Sequence, residues 1–188
     1  MTLRIAIVGA ESTGKTTLAA ALVGALGASG HWRVALVDEW LRAWCVHAGR
    51  TPRADEQHAI AEEQHRRIEA AAAGHDIVVC DTTALMTTVY SRLLFDDRSL
   101  DARAYELHRT SALTLLTALD LPWVADGLQR DGPQVRAPVD ALVRAWLSER
   151  ALPFAVVGGQ GPARLAQARA ALRPLLGQHA AGPQGRRR

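Results

Sequence analysis

Short apolar runs alternate with longer amphipathic stretches along this chain. Leu3-Arg4-Ile5-Ala6-Ile7-Val8 ends in a glycine and reads as a buried parallel strand. Lys15 to Leu26, rich in Ala and Leu and closed by Gly27 and Gly30, reads as a helix. Arg33 to Val37, Asp76 to Cys80, Leu113 to Leu119 and Phe154 to Val157 repeat the strand pattern. Helical spacing fills the intervals: Asp38 to His47, Asp55 to Ala73, Ala84 to Phe95, Ala102 to Ser111, Pro138 to Arg150 and Ala163 to Leu176. The segment Pro122 to Pro133 is rich in Pro, Gly and Asp and reads as a long loop. Strands separated by helices call for parallel pairing with right-handed crossovers. The expected fold is therefore α/β: three layers around a mainly parallel five-stranded sheet. Residues 1–176 form one domain in this reading, and residues 177–188 form a disordered basic tail.

Composition changes little. The 188 residues suffice for one domain with a core. The formal net charge is +3, an amount matched by the terminal run Arg186-Arg187-Arg188. No further basic cluster is interleaved with aromatics, which argues against nucleic acid as a partner. Cys45 and Cys80 form no C-x-x-C, and no Cys/His spacing suits zinc. No apolar run reaches the roughly 18 residues of a membrane span, so no membrane partner is expected and the cytoplasm is the expected location.

The chemistry begins at Gly9-Ala10-Glu11-Ser12-Thr13-Gly14-Lys15-Thr16, followed by Thr17, which fits G-x-x-x-x-G-K-[ST] between a strand and a helix. Gly9 and Gly14 allow the tight turn that aims backbone N–H groups at phosphate, and the helix start adds its positive end. Lys15 is expected to reach the β- and γ-phosphates of ATP, and the Thr16 hydroxyl to ligate Mg²⁺. Strands two and three run into Asp38-Glu39 and Asp81, at the edge where α/β sheets bind ligands. One carboxylate there can orient Mg²⁺ and another can accept the proton of a substrate hydroxyl; each is also a natural helix cap. Trp40, Trp44 and Trp123 are candidates for stacking on a base. The loop glycines Gly158, Gly159 and Gly161 are candidates for lying beside adenine. In the long loop, Arg130 and Arg136 are the candidate stabilisers of the transferred phosphoryl group. Gly127 and Gly132 are its candidate hinges.

On these residues the chain resembles the nicotinamide riboside kinase domain of the bacterial NadR type, within the wider group of P-loop ATPases and kinases. The phosphate loop through Leu18 carries the first likeness. Asp38-Glu39 followed by a helix and Gly49-Arg50, the run Asp81-Thr82-Thr83-Ala84-Leu85-Met86-Thr87-Thr88, and Pro122-Trp123-Val124-Ala125-Asp126-Gly127-Leu128-Gln129-Arg130 carry the rest. The likeness spans about Leu3 to Leu176. It departs at Thr83, where the family has a second acid, and this chain has neither the adenylyltransferase nor the DNA-binding domain of the family's regulator. The resemblance implies a stand-alone kinase using ATP and Mg²⁺ to phosphorylate a nucleoside such as nicotinamide riboside. Asp38, Glu39, Trp123 and Asp126 would face that substrate, Trp123 stacking on its ring and Asp126 bonding its ribose. Thr16 and Asp81 would serve the metal. Two other readings stand beside it: a nucleotide-binding regulatory ATPase without a small acceptor, and another nucleoside or nucleotide kinase. For a monophosphate acceptor, Arg42, Arg50 and Arg53 are the available cations.

Overall fold

The computed structural model describes residues 2–124 and 132–181. Among them the first half runs β1 (Leu3–Val8), α1 (Lys15–Gly27), β2 (Val34–Val37), α2 (Trp40–Ala48), α3 (Gln57–Ala72) and β3 (Ile77–Asp81). The second half runs α4 (Ala84–Phe95), α5 (Asp101–His108), β4 (Leu113–Thr117), α6 (Arg136–Glu149), β5 (Phe154–Val157) and α7 (Gly161–Ala181). Short 3-10 turns at Ala54–Glu56 and Pro133–Val135 lead into α3 and α6. The sheet order is β2-β3-β1-β4-β5, and every pairing is parallel.

The period-2 pattern of β1 builds two cores. Ile5 and Ile7 pack with Leu18 and Leu22 of α1 and Leu172 of α7 on one face. Ala6 and Val8 pack with Leu85 and Val89 of α4 and with Val143 and Trp146 of α6 on the other. Ile5, Ile7, Leu22 and Trp146 are completely buried, and each such aliphatic side chain contributes roughly 1.5–3 kcal/mol of transfer free energy. With β3 on one side of β1 and β4 on the other, the turn after β1 opens at the switch point of the sheet, where such folds bind ligands.

Two boundaries differ from expectation with consequences. β3 includes Asp81, because its register with β1 continues to the pair Ile7–Asp81. The cap of α4 is instead Thr83, whose hydroxyl accepts from the Leu85 N–H at 3.4 Å. α7 runs on to Ala181, past the expected end at Leu176, in spite of an internal Pro174. Packing on both sides of the proline carries the helix through: Leu172 is buried, Leu175 and Leu176 lie against the core, and His179 meets Trp32 with ring centroids 5.0 Å apart.

Candidate active site

The loop after β1 is held by its own buried threonine. Gly9 has φ 149°, and a Cβ there would stand 2.2 Å from the Thr117 Oγ1. Thr13 is fully buried; its hydroxyl donates to the Ala10 carbonyl at 2.7 Å and lies 2.7 Å from the Thr117 hydroxyl at the end of β4. The Thr13 side chain thus braces the loop from inside and leaves its backbone for a ligand. Ser12 (φ 54°) and Gly14 (φ 76°) complete the turn in left-handed conformations, and Gly14 becomes the N-cap of α1. Ser12 Oγ donates to the Val124 carbonyl at 2.6 Å, joining this loop to the segment after β4.

Lys15 folds back so that its Nζ donates to the Ala10 carbonyl at 2.9 Å. Thr16 Oγ1 donates to Asp81 Oδ2 at 2.5 Å. Asp81 Oδ1 is buried with no hydrogen-bond partner among the described residues. Burial raises the Asp81 pKa above the usual carboxylate range, against the opposing pull of the Thr16 hydrogen bond and the Lys15 charge. A carboxylate kept here with one oxygen unused costs stability, and its arrangement with Thr16 suits a hard divalent cation.

Two recesses flank the loop. The first, about 310 Å³, is lined by Gly9, Glu11, Ser12 and Lys15 on the loop side. Glu39 and Arg42 enter from α2, and Ile60, Met86 and Tyr90 supply an apolar floor from α3 and α4. The second, about 440 Å³, is lined by Gly14, Thr17 and Leu18, by Leu121, and by Gly159 and Gly161. Arg164 builds the second: its Nε donates to the Gly159 carbonyl at 2.8 Å, and its two terminal nitrogens bond the Thr13 carbonyl and Asp120.

The expected site residues divide accordingly. Gly9, Glu11, Ser12, Lys15 and Glu39 meet at the first recess; Gly14 and Thr17 face the second; Thr16 and Asp81 pair behind the loop. Asp38 is exposed and outside the lining of either recess; its charge nonetheless contributes to raising the pKa of Asp81. The reason is the turn into α2, which begins at Trp40 with Glu39 as its N-cap and brings Glu39 to the cavity. Trp40 and Trp44 also lie outside both linings; Arg67 stacks on the first at 4.0 Å and Arg50 on the second at 5.1 Å. Trp123 is half-buried next to Val124, which lines the first recess where Trp123 does not. Asp126, Gly127 and Arg130 lie outside the described residues. Arg136, expected on the same open loop, is instead buried in the first turn of α6, with Nη2 donating to the Leu121 carbonyl at 2.9 Å. It lines neither recess, because α6 starts two residues before the expected Pro138 and draws Arg136 into the fold.

The departure at Thr83 also gains a physical meaning. Its hydroxyl lies 2.7 Å from Nδ1 of buried His108, whose Nε2 lies 2.9 Å from Thr114 Oγ1. Position 83 therefore faces the core, and the missing acid leaves no gap in either recess. Sequence reasoning missed Asp120, Gln64 and Arg164. Asp120 follows the fourth strand and obeys the same strand-end rule that found Asp81. Gln64 and Arg164 sit within helices and send no local signal.

A strand, a glycine-bounded loop with Lys15 and Thr16, a following helix and an acid at the end of the adjacent strand together define a P-loop nucleotide-binding protein. Residues 4–164 match the model of the AAA domain, and the chain belongs to that family. No curated protein matches its sequence. Among solved structures, the fold is similar to a NadR protein in complex with NR, with TM-score 0.75 and 18% identity over 92% of this chain. The chain spans 50% of that protein's length. It is also similar to thymidylate kinase from Ehrlichia chaffeensis, with TM-score 0.62 and 13% identity, covering 93% of this chain and 98% of the other.

Proposed function

We propose that this chain transfers the γ-phosphoryl group of ATP to a hydroxyl of a nucleoside, with nicotinamide riboside as the foremost acceptor. The observation that carries the proposal is the pair of recesses on opposite sides of one phosphate loop. The recess at Thr17 and Gly159 to Gly161 suits the base of ATP, where glycines allow a flat ring to approach closely. The recess at Gly9, Lys15 and Glu39 suits the acceptor: an apolar floor for a ring, with a carboxylate and a lysine at the loop end. A regulatory ATPase without an acceptor has no use for a further recess with an apolar floor beside the phosphate loop.

The cations argue for a nucleoside over its monophosphate. Arg50 binds both oxygens of Glu56 at 2.7 Å each, and Arg53 also pairs with Glu56. Those bonds hold the Glu56 pKa down to about 2. Arg42 is the one arginine lining the acceptor recess among the described residues, and it pairs with Glu39 at 3.7 Å. The likeness in fold to a protein solved with NR supports the choice of acceptor.

In this reading Lys15 leaves the Ala10 carbonyl for the β- and γ-phosphates. Thr16 and Asp81 would hold Mg²⁺, whose charge offsets that of the phosphate oxygens. Glu39 accepts the proton of the acceptor hydroxyl as its oxygen bonds to phosphorus and the bond to the ADP oxygen breaks. Positioning and charge neutralisation supply most of the rate. Trp123 would stack on the acceptor's ring, with Asp126 serving its ribose and Arg130 the transferred group; the last two lie outside the described residues. Arg136 takes no part in the transfer and ties the start of α6 to the Leu121 carbonyl.

The test is ADP release with MgATP across nucleosides, their monophosphates and no acceptor, with products identified by mass. Release dependent on nicotinamide riboside, with a product heavier by one phosphate, supports the proposal. Release with monophosphates alone would assign a nucleotide kinase. Release indifferent to acceptor would assign an ATPase.

A further inference from the structure

We infer that Gln64 is a positioning residue that caps α2 in place of the Glu39 carboxylate and so keeps that carboxylate at the acceptor recess. The inference rests on the reading of Glu39 as the acceptor-side carboxylate. Trp40 opens α2, so its N–H is among those that no carbonyl of the helix can reach. The usual remedy is the side chain of the N-cap residue. Here the N-cap is Glu39, and its side chain makes no capping bond. The acceptor comes from another helix: Gln64 Oε1 on α3 takes the Trp40 N–H at 2.7 Å. The other end of the same amide, Nε2, donates to the Asp38 carbonyl at 3.3 Å.

These two bonds bracket Glu39, one on the residue before it and one on the residue after. They also fix which way the amide faces, since a backbone N–H needs an oxygen and a carbonyl needs the NH₂. Gln64 is 2% exposed and lies in the buried stripe of α3 with Ile60 and Ile68. A glutamine in such a stripe is costly unless its amide is bonded at both ends, as this one is. The consequence falls on Glu39. Relieved of capping, its carboxylate lines the acceptor recess and meets Arg42 at 3.7 Å. An acid that follows a strand is ordinarily explained as a helix cap; Gln64 removes that explanation for Glu39.

Gln64→Met keeps the length of the side chain and removes both bonds. The vacated Trp40 N–H then recruits the nearest acceptor, the Glu39 carboxylate, and draws it out of the recess. The crystal structure of the variant reads this without any substrate: Glu39 turned onto the start of α2 is the expected result, and Glu39 still lining the recess beside Arg42 would overturn the inference. Kinetics add a second reading. Misplacing a reacting group by about 1 Å costs up to roughly 10²-fold, so kcat should fall about 10- to 100-fold while KM for ATP stays near wild type. The loss should add little to that of Glu39→Gln in the double variant, because both act through one carboxylate. Wild-type kcat in Gln64→Met beside a slow Glu39→Gln would reject the positioning role and leave the role of Glu39 standing. Wild-type kcat in Glu39→Gln would reject the reading of Glu39 itself, and the inference with it. Should Gln64→Met fail to fold, Gln64→Glu retains an acceptor for Trp40 and loses the donor to Asp38. It should keep Glu39 in the recess and part of the turnover; full loss of both would also reject the inference.

Discussion

Replacing Asp81 by Asn should make the free protein more stable and make it useless as a catalyst. Asp81 is 2% exposed, and its Oδ1 has no hydrogen-bond partner among the described residues. Burial raises its pKa, so the folded chain holds this proton more tightly than the unfolded chain does. Its contribution to stability is therefore favourable at low pH and diminishes as pH rises from the unfolded value near 3.9 through the raised folded value. At neutral pH the carboxylate is a liability in the absence of a cation. Asn keeps an oxygen for the Thr16 hydroxyl and removes the charge. Its NH₂ takes over the unpartnered position, so the gain is that of discharging a buried unpaired group, about 1–3 kcal/mol, and a domain of this size gains roughly 2–4 °C in Tm per kcal/mol. Thermal melts at pH 7.5 in EDTA should then show Asp81→Asn about 2–12 °C above wild type. With MgATP the order should reverse or close, because the variant loses the metal-dependent part of the stabilisation that ligand binding confers. Turnover should fall by at least about 10²-fold. A variant that melts below wild type in EDTA would show that the carboxylate is already compensated in the free protein. The strongest structural argument for a cation at Thr16 and Asp81 would then be gone.

Three further outcomes follow from the same geometry. Lys15→Ala should abolish phosphoryl transfer with Tm nearly unchanged, since among the described residues Lys15 bonds only a loop carbonyl; retained turnover in the folded variant would remove the loop from the chemistry. Burial holds the His108 pKa down to about 4, so the unfolded chain binds the extra proton between pH 4 and about 6.5. Stability should fall with acid across that window by at most about 1.4 kcal/mol per pH unit from this group, and His108→Gln should show a shallower fall in melts at pH 4.5 to 7; identical slopes would contradict it. Arg130→Ala should lower kcat more than it weakens ATP binding, as for a contact that strengthens in the transition state; equal effects on both, or none, would reject that role for Arg130.

Much of this protein was written in short stretches of sequence. The run Leu3 to Val8 ending in Gly9, and Gly14-Lys15-Thr16 entering a helix, are local facts, because a strand and a phosphate loop are specified by neighbours in the chain. Alternating strands and helices likewise set the parallel sheet, since few topologies satisfy short right-handed crossovers. Ala84–Phe95 and Phe154–Val157 came out residue for residue as the pattern implied. The tertiary structure decided what periodicity cannot contain. Which of two adjacent acids, Asp38 or Glu39, enters the recess depends on where α2 begins, and that is settled by Gln64, 24 residues from Trp40. Whether Asp81 caps a helix or ends a strand depends on its register with Ile7, on a strand far from it in sequence. Arg136 reads as a loop arginine until the bond to Leu121 buries it. Local propensity acts over a turn or a pleat, whereas the direction of a polar side chain is set by distant partners that satisfy its hydrogen bonds. The phosphate loop was therefore legible in the sequence, and the recess beside it was assembled by packing.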